Sequence, residues 1–111
     1  KTPAQNLWIA ECRDHFAGSV AIVRHDAHTA QLRWLIVEPE ARQRGIGKQL
    51  VNQAVRFAAD NGYRSVLLWT IDFLASARRL YANTGFQLAE TKVSQVWGKT
   101  LTEECWRLNL G

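Results

Sequence analysis

Hydrophobic and polar positions change their period along this chain, and the changes divide it into elements. Leu7–Cys12 and Gly18–Arg24 are short apolar-rich runs that read as a hairpin, with Arg13–Ala17 as the connection. His25–Thr29 is polar and turns the chain again. Ala30–Val37 reads as a third strand, rich in β-branched and aromatic residues, and Pro39 stops it. From about Gly45 to Asn61 the repeat becomes helical. Gly47, Leu50, Val51, Ala54, Val55 and Ala58 share one face, and Lys48, Asn52, Arg56 and Asp60 lie elsewhere. Asn61-Gly62 supplies a left-handed close. Ser65–Trp69 is almost wholly apolar, as a central strand should be. Asp72 is the expected N-cap of a second helix, with Phe73, Ala77, Leu80 and Tyr81 on one face and Gly85 at its end. Phe86–Val96, a turn at Trp97–Thr100 and Glu103–Leu110 form a final hairpin, with Trp106, Leu108 and Leu110 alternating inward. The order β-β-β-α-β-α-β-β predicts an α/β (α+β) fold, a mixed sheet with helices on its faces.

Composition bounds the reading without choosing a function. At 111 residues and 47% hydrophobic, the chain is one domain with a buriable core. No apolar run approaches the ~20 residues that span a bilayer, and no signal peptide is legible, so a cytoplasmic protein is expected. A net charge of +4 suits an anionic ligand, but it is ordinary for a soluble domain and does not imply nucleic acid. Cys12 and Cys105 are far apart and read as reduced, buried thiols. His15, His25 and His28 make no convincing metal set with Cys12, so no metal is expected. The chain holds no methionine, so a fragment or processed product is expected.

Arg42-Gln43-Arg44-Gly45-Ile46-Gly47-Lys48 carries the chemistry. It lies between a strand and a helix, where unpaired N–H groups and the helix dipole make an anion site. Gly45 and Gly47 allow close backbone approach and positive φ. Arg42, Arg44 and Lys48 crowd the same turn. Two familiar phosphate motifs fail. A P-loop needs Ser or Thr where Gln49 stands, and a glycine where Arg42 stands. A dinucleotide fingerprint needs a third glycine where Leu50 stands.

The run does resemble another pattern, R/Q-x-x-G-x-G/A, the acyl-CoA pyrophosphate loop of the GNAT superfamily of N-acetyltransferases. Arg42, Gly45 and Gly47 fill its defined positions, and Val37-Glu38-Pro39 and Lys48-Gln49-Leu50 resemble its flanks. Ala77, Leu80, Tyr81, Gly85 and Phe86 resemble the family's closing helix and following strand. The resemblance covers roughly residues 7 to 110. Leu68-Trp69-Thr70 and Trp106 most resemble acetyltransferase domains fused behind a MarR-type winged helix. The chain departs from the pattern at Leu74, where many members carry Asn.

The resemblance implies a mostly antiparallel sheet whose usual first strand and helices lie upstream of Leu7. It implies acetyl-CoA as cosubstrate and a primary amine as acceptor, on a small molecule or a protein. Arg42–Lys48 would hold the pyrophosphate. Leu35, Ile36 and Val37 would pair with the pantetheine like an added strand, a main-chain N–H there polarising the thioester. Tyr81 matches the family tyrosine that protonates the departing thiolate. The general base stays open among Glu38, Glu11, Glu90, His28 and a water chain. Five tryptophans are mostly core, and Trp69, where two strands part in this family, is the foremost candidate to line an acceptor pocket. A homodimer is left open, as is a non-catalytic acyl-CoA-binding module serving a regulator. Nucleic acid is expected only through a fused domain.

Overall fold

A computed structural model describes residues 5–38, 45–71 and 75–111. These form strands β1 (Asn6–Cys12), β2 (His15–Arg24) and β3 (Thr29–Val37), helix α1 (Ile46–Asp60), strand β4 (Ser65–Ile71), helix α2 (Ala75–Thr84) and strands β5 (Gln87–Val96) and β6 (Lys99–Asn109). The strands build one sheet in the order β1-β2-β3-β4-β6-β5. Its neighbours run antiparallel except β3 and β4, which are parallel.

Two hairpins are tighter than the sequence pattern predicts. The first turn is only Arg13-Asp14, with φ of 53° and 65°, so β2 begins at His15 rather than Gly18. The second is only Trp97-Gly98, with φ of 56° and 75°, so β6 begins at Lys99 rather than Glu103. In both, two consecutive positive φ values match the right-handed strand twist, which lets a two-residue link replace the longer loop. Strand β4 also runs past Trp69 to Ile71, because β6 pairs with it throughout. The turn before β3 is held by Asp26, whose Oδ1 accepts the N–H groups of His28 and Thr29 at 2.9 and 2.8 Å.

Helix α1 buries Leu50, Val51, Ala54 and Ala58, the face that its periodicity marks. It closes at Gly62, φ 85°, where the N–H of Tyr63 returns to the carbonyl of Ala58 at 3.1 Å. The core lies under α1 and α2. Val20, Ile22, Val51, Val66 and Leu68 are its largest fully buried side chains. Each stabilises the fold by roughly 1.5–3 kcal/mol. Trp106 and Phe86 complete it, and Trp8 meets Phe57 edge-on at 5.2 Å. Ala77, Leu80 and Tyr81 turn inward from α2 as expected, whereas Asp72, Phe73 and Leu74 lie outside the described residues.

Candidate functional site

The parallel pair at the centre of the sheet is short. Thr29–Gln31 of β3 face Ser65–Leu67 of β4, and there the ladder stops. Each strand keeps its other neighbour: β2 still holds β3 at Val37, and β6 still holds β4 at Ile71. The two strands therefore part while remaining anchored on their outer sides.

A bulge in β3 marks the divergence. Ala21 pairs with Arg33, but Ser19 pairs with Ile36, so β3 carries one extra residue. Trp34 adopts φ 54°, a conformation that bulky side chains rarely accept. Such a residue costs roughly 1–3 kcal/mol and persists only where its surroundings impose it. The hydroxyl of Ser19 donates to the carbonyl of Trp34 at 3.1 Å. Gly18 lets the strands approach, since a Cβ there would lie 2.5 Å from the carbonyl oxygen of Ile36. The bulge bends β3 away from β4.

The gap is a cleft of about 900 Å³, within the range of small-molecule sites. Leu32–Leu35 and Val37 form one wall, and Leu68–Thr70 the other. Gly45, Ile46, Gly47 and Lys48 close one end, and Ser76, Ala77, Leu80 and Tyr81 form the floor. At that end α1 begins on Gly45, φ 77°, with no side-chain cap and no acidic residue in its first turn. The first N–H groups of a helix start of this kind suit an anion. Gly45 uses the positive φ that the loop pattern allows, and Gly47 is helical. Its lack of a Cβ also serves packing, because that atom would lie 3.2 Å from Leu80 Cδ2 and 3.4 Å from Val37 Cγ2.

Tyr81 is buried, and burial pushes its phenol up to about 12, so it keeps its proton at neutral pH. Its ring lies 6.0 Å from that of Phe86. Three residues earlier, Arg78 puts its Nε 2.9 Å from Oε1 of Glu104 on β6. The indole N–H of Trp106 donates to the same oxygen at 3.2 Å. Glu104 is buried, so this ion pair seats α2, and with it Tyr81, on the sheet.

The structure thus gathers Leu35, Val37, Gly45, Ile46, Gly47, Lys48 and Tyr81 around one cleft. Ile36 turns away, paired with Ser19 on the other face. Arg42, Gln43 and Arg44 lie outside the described residues. The carboxylates Glu11, Glu38 and Glu90 and the imidazole of His28 do not line the cleft. Sequence reasoning missed the bulge at Trp34, which has no local signature. It also missed Glu104, although Trp106 pointing inward implies the same of a residue two positions earlier on a strand. Among the described residues, no group of three His, Cys, Asp or Glu comes together to hold a metal ion, and no helix is long and apolar enough to cross a membrane.

The same fold occurs in acetyltransferases of known structure. A GNAT family acetyltransferase from Elizabethkingia anophelis, solved with acetyl-CoA bound, superposes with a TM-score of 0.80 at 17% identity, covering 95% of this chain and 76% of that one. The family model for the acetyltransferase (GNAT) domain matches residues 3–88, and the chain belongs to that family. N-acetyltransferase 8B of Homo sapiens is 35% identical over 98 residues, 84% of this chain and 43% of the human protein. N-acetylaspartate synthetase of Danio rerio is 34% identical over 96 residues, 85% of this chain and 34% of the fish protein. The chain therefore spans less than half the length of these relatives.

Proposed function

We propose that this chain is an acetyl-CoA-dependent N-acetyltransferase domain that acetylates an amine by direct attack. One observation carries the reading: the uncapped start of α1 and the protonated phenol of Tyr81 face the same strand-parted cleft. Such a cleft can take an extended ligand with phosphates at one end and a thioester further in. The N–H groups of the first turn of α1, with Lys48, would hold the pyrophosphate. The backbone of Leu35–Val37 would pair with the pantetheine, and an N–H there would polarise the thioester carbonyl. The amine nitrogen attacks that carbon, the C–S bond breaks, and the departing sulfur takes the proton of Tyr81. The proton left on the attacking nitrogen passes to water, and Tyr81 regains its own proton from water. We read the setting as cytoplasmic and reducing, since Cys12 and Cys105 are not joined in a disulfide. The relatives' names favour a small amine over a protein as acceptor.

A second reading, binding without turnover, is favoured by the lack of any carboxylate or imidazole among the described residues that line the cleft. Calorimetric titration with acetyl-CoA, against NADH as control, tests the shared part of both. Micromolar binding of acetyl-CoA alone is expected, followed by release of free thiol when amines are added. Failure to bind overturns both readings; binding with no thiol release against any amine leaves the second.

A further inference from the structure

The two helices meet the sheet differently. Helix α1 buries Leu50, Val51, Ala54 and Ala58, whereas among the described side chains of α2 only Tyr81 is buried. Ala77 and Leu80 are half-buried and pack against the core from its margin. Apolar packing therefore locates α2 less firmly than α1. What α2 has besides is the contact of Arg78 Nε with Glu104 Oε1 at 2.9 Å. That nitrogen is buried and makes no aligned hydrogen bond, so the charge of the carboxylate is what answers it. Arg78 and Tyr81 are three residues apart and so lie along one side of the helix.

On the strand side Glu104 is fixed twice. Its Oε1 accepts the indole N–H of Trp106, and its backbone pairs with Thr70 while Trp106 pairs with Leu68. Leu68 and Thr70 belong to one wall of the cleft, and Ala77, Leu80 and Tyr81 to its floor. The ion pair thus ties the floor to the strand beside that wall. Glu104 is also the one charged residue among the described buried ones. Burying a carboxylate is costly even when it is paired, and apolar residues of similar size hold two surfaces together as well or better. Stability alone therefore does not call for a charge here, whereas a directional contact fixes where the helix sits.

We infer that Glu104 is a positioning residue for acetyl transfer, acting through Arg78 to set where α2 holds the phenol of Tyr81 in the cleft. The inference rests on the acetyl-transfer reading above and adds a residue that touches neither substrate.

The test follows thiol release from acetyl-CoA with hydroxylamine as acceptor, above the enzyme-free rate. Hydroxylamine is small and unprotonated at neutral pH, so the readout depends on neither a general base nor the shape of an acceptor pocket. Glu104→Gln keeps the side chain's shape and still accepts from Trp106, losing only the charge. Its kcat should fall at least about tenfold while calorimetric acetyl-CoA affinity holds within about twofold. In a Tyr81→Phe background the same substitution should lower kcat by less than about twofold, because the group it positions is already gone. Arg78→Met combined with Glu104→Gln removes both charges. This pair should unfold at least as late in denaturant as Glu104→Gln and stay as slow, and it carries the same comparison should the single variant not fold. An additive loss in Tyr81→Phe, an unchanged kcat in Glu104→Gln, equal losses of kcat and affinity, or recovery of kcat in the pair overturns the proposal. Absence of acetyl-CoA binding or of thiol release in the unaltered chain instead overturns the acetyl-transfer reading beneath it.

Discussion

Strands β3 and β4 behave differently at their two ends. At the start they are locked. Thr29 and Ser65 share a buried hydrogen bond of 3.1 Å, and Arg107 Nη1 donates to the same serine at 3.3 Å. The N–H of Arg64 reaches the carbonyl of His28 at 2.7 Å, and Ala30 and Val66 are fully buried. Four or five residues on, the same strands face a cleft, with a left-handed tryptophan on one and a half-exposed tryptophan on the other. Small, hydrogen-bonded residues close the first end. A bulge bends the second, and it leaves the facing backbone of Leu32–Leu35 unclaimed by β4. Packing and the proposed ligand cleft are thus separated along one strand pair, and substitutions at each end should divide accordingly.

The largest effect should come at the helix start that opens into the cleft. Gly47→Glu puts a carboxylate beside the expected phosphates, and acetyl-CoA affinity should fall by at least about a hundredfold. A glutamate also brings a Cβ against Leu80 and Val37, so charge must be separated from packing. Gly47→Ala makes the same contact without charge and should keep binding within a few fold. Equal losses in both variants, measured by calorimetry, would reassign Gly47 wholly to packing.

Tyr81→Phe should act on chemistry rather than affinity. If the phenol protonates the departing thiolate, kcat should fall about a hundredfold while acetyl-CoA affinity holds within about twofold. An unchanged kcat removes Tyr81 from the mechanism. The same variant reports on stability. Burial pushes this phenol up to about 12 from an ordinary value of 10.0. Its contribution to stability is fully present below pH about 10. It then drains as the pH climbs to about 12, by up to ~2–3 kcal/mol, because the unfolded phenol ionises first. Denaturant unfolding across that range should show the loss in the native chain and a smaller one in Tyr81→Phe.

The contrast between the two ends also explains what could be read from the residues alone. Periodicity located every strand and both helices, because it reports which face meets the core. The strand-to-helix junction at Gly45–Lys48 was legible for a related reason: the hydrophobic period changes there from strand to helix. The cleft itself was not legible as geometry. It arises from a bulge whose residue, Trp34, looks like any strand tryptophan, and from a parallel pairing that stops after three residues. Long-range register decides both. Gly47 shows the limit from the other side, since its glycine character was plain but its reason was a neighbour 33 residues away, Leu80.

The smallest effect should come from the locked end. Thr29→Val preserves shape and removes one buried hydroxyl, breaking its bond with Ser65. Arg107 still donates to the serine oxygen, so that oxygen is not abandoned. Stability should drop by about 1 kcal/mol, read from denaturant midpoints. Acetyl-CoA affinity and kcat should stay within about twofold, because the cleft begins beyond this rung and β2 and β6 hold the parted strands independently. A catalytic loss much larger than the stability loss would mean that the splay is set from the closed end, and that the bulge at Trp34 follows the divergence rather than causing it.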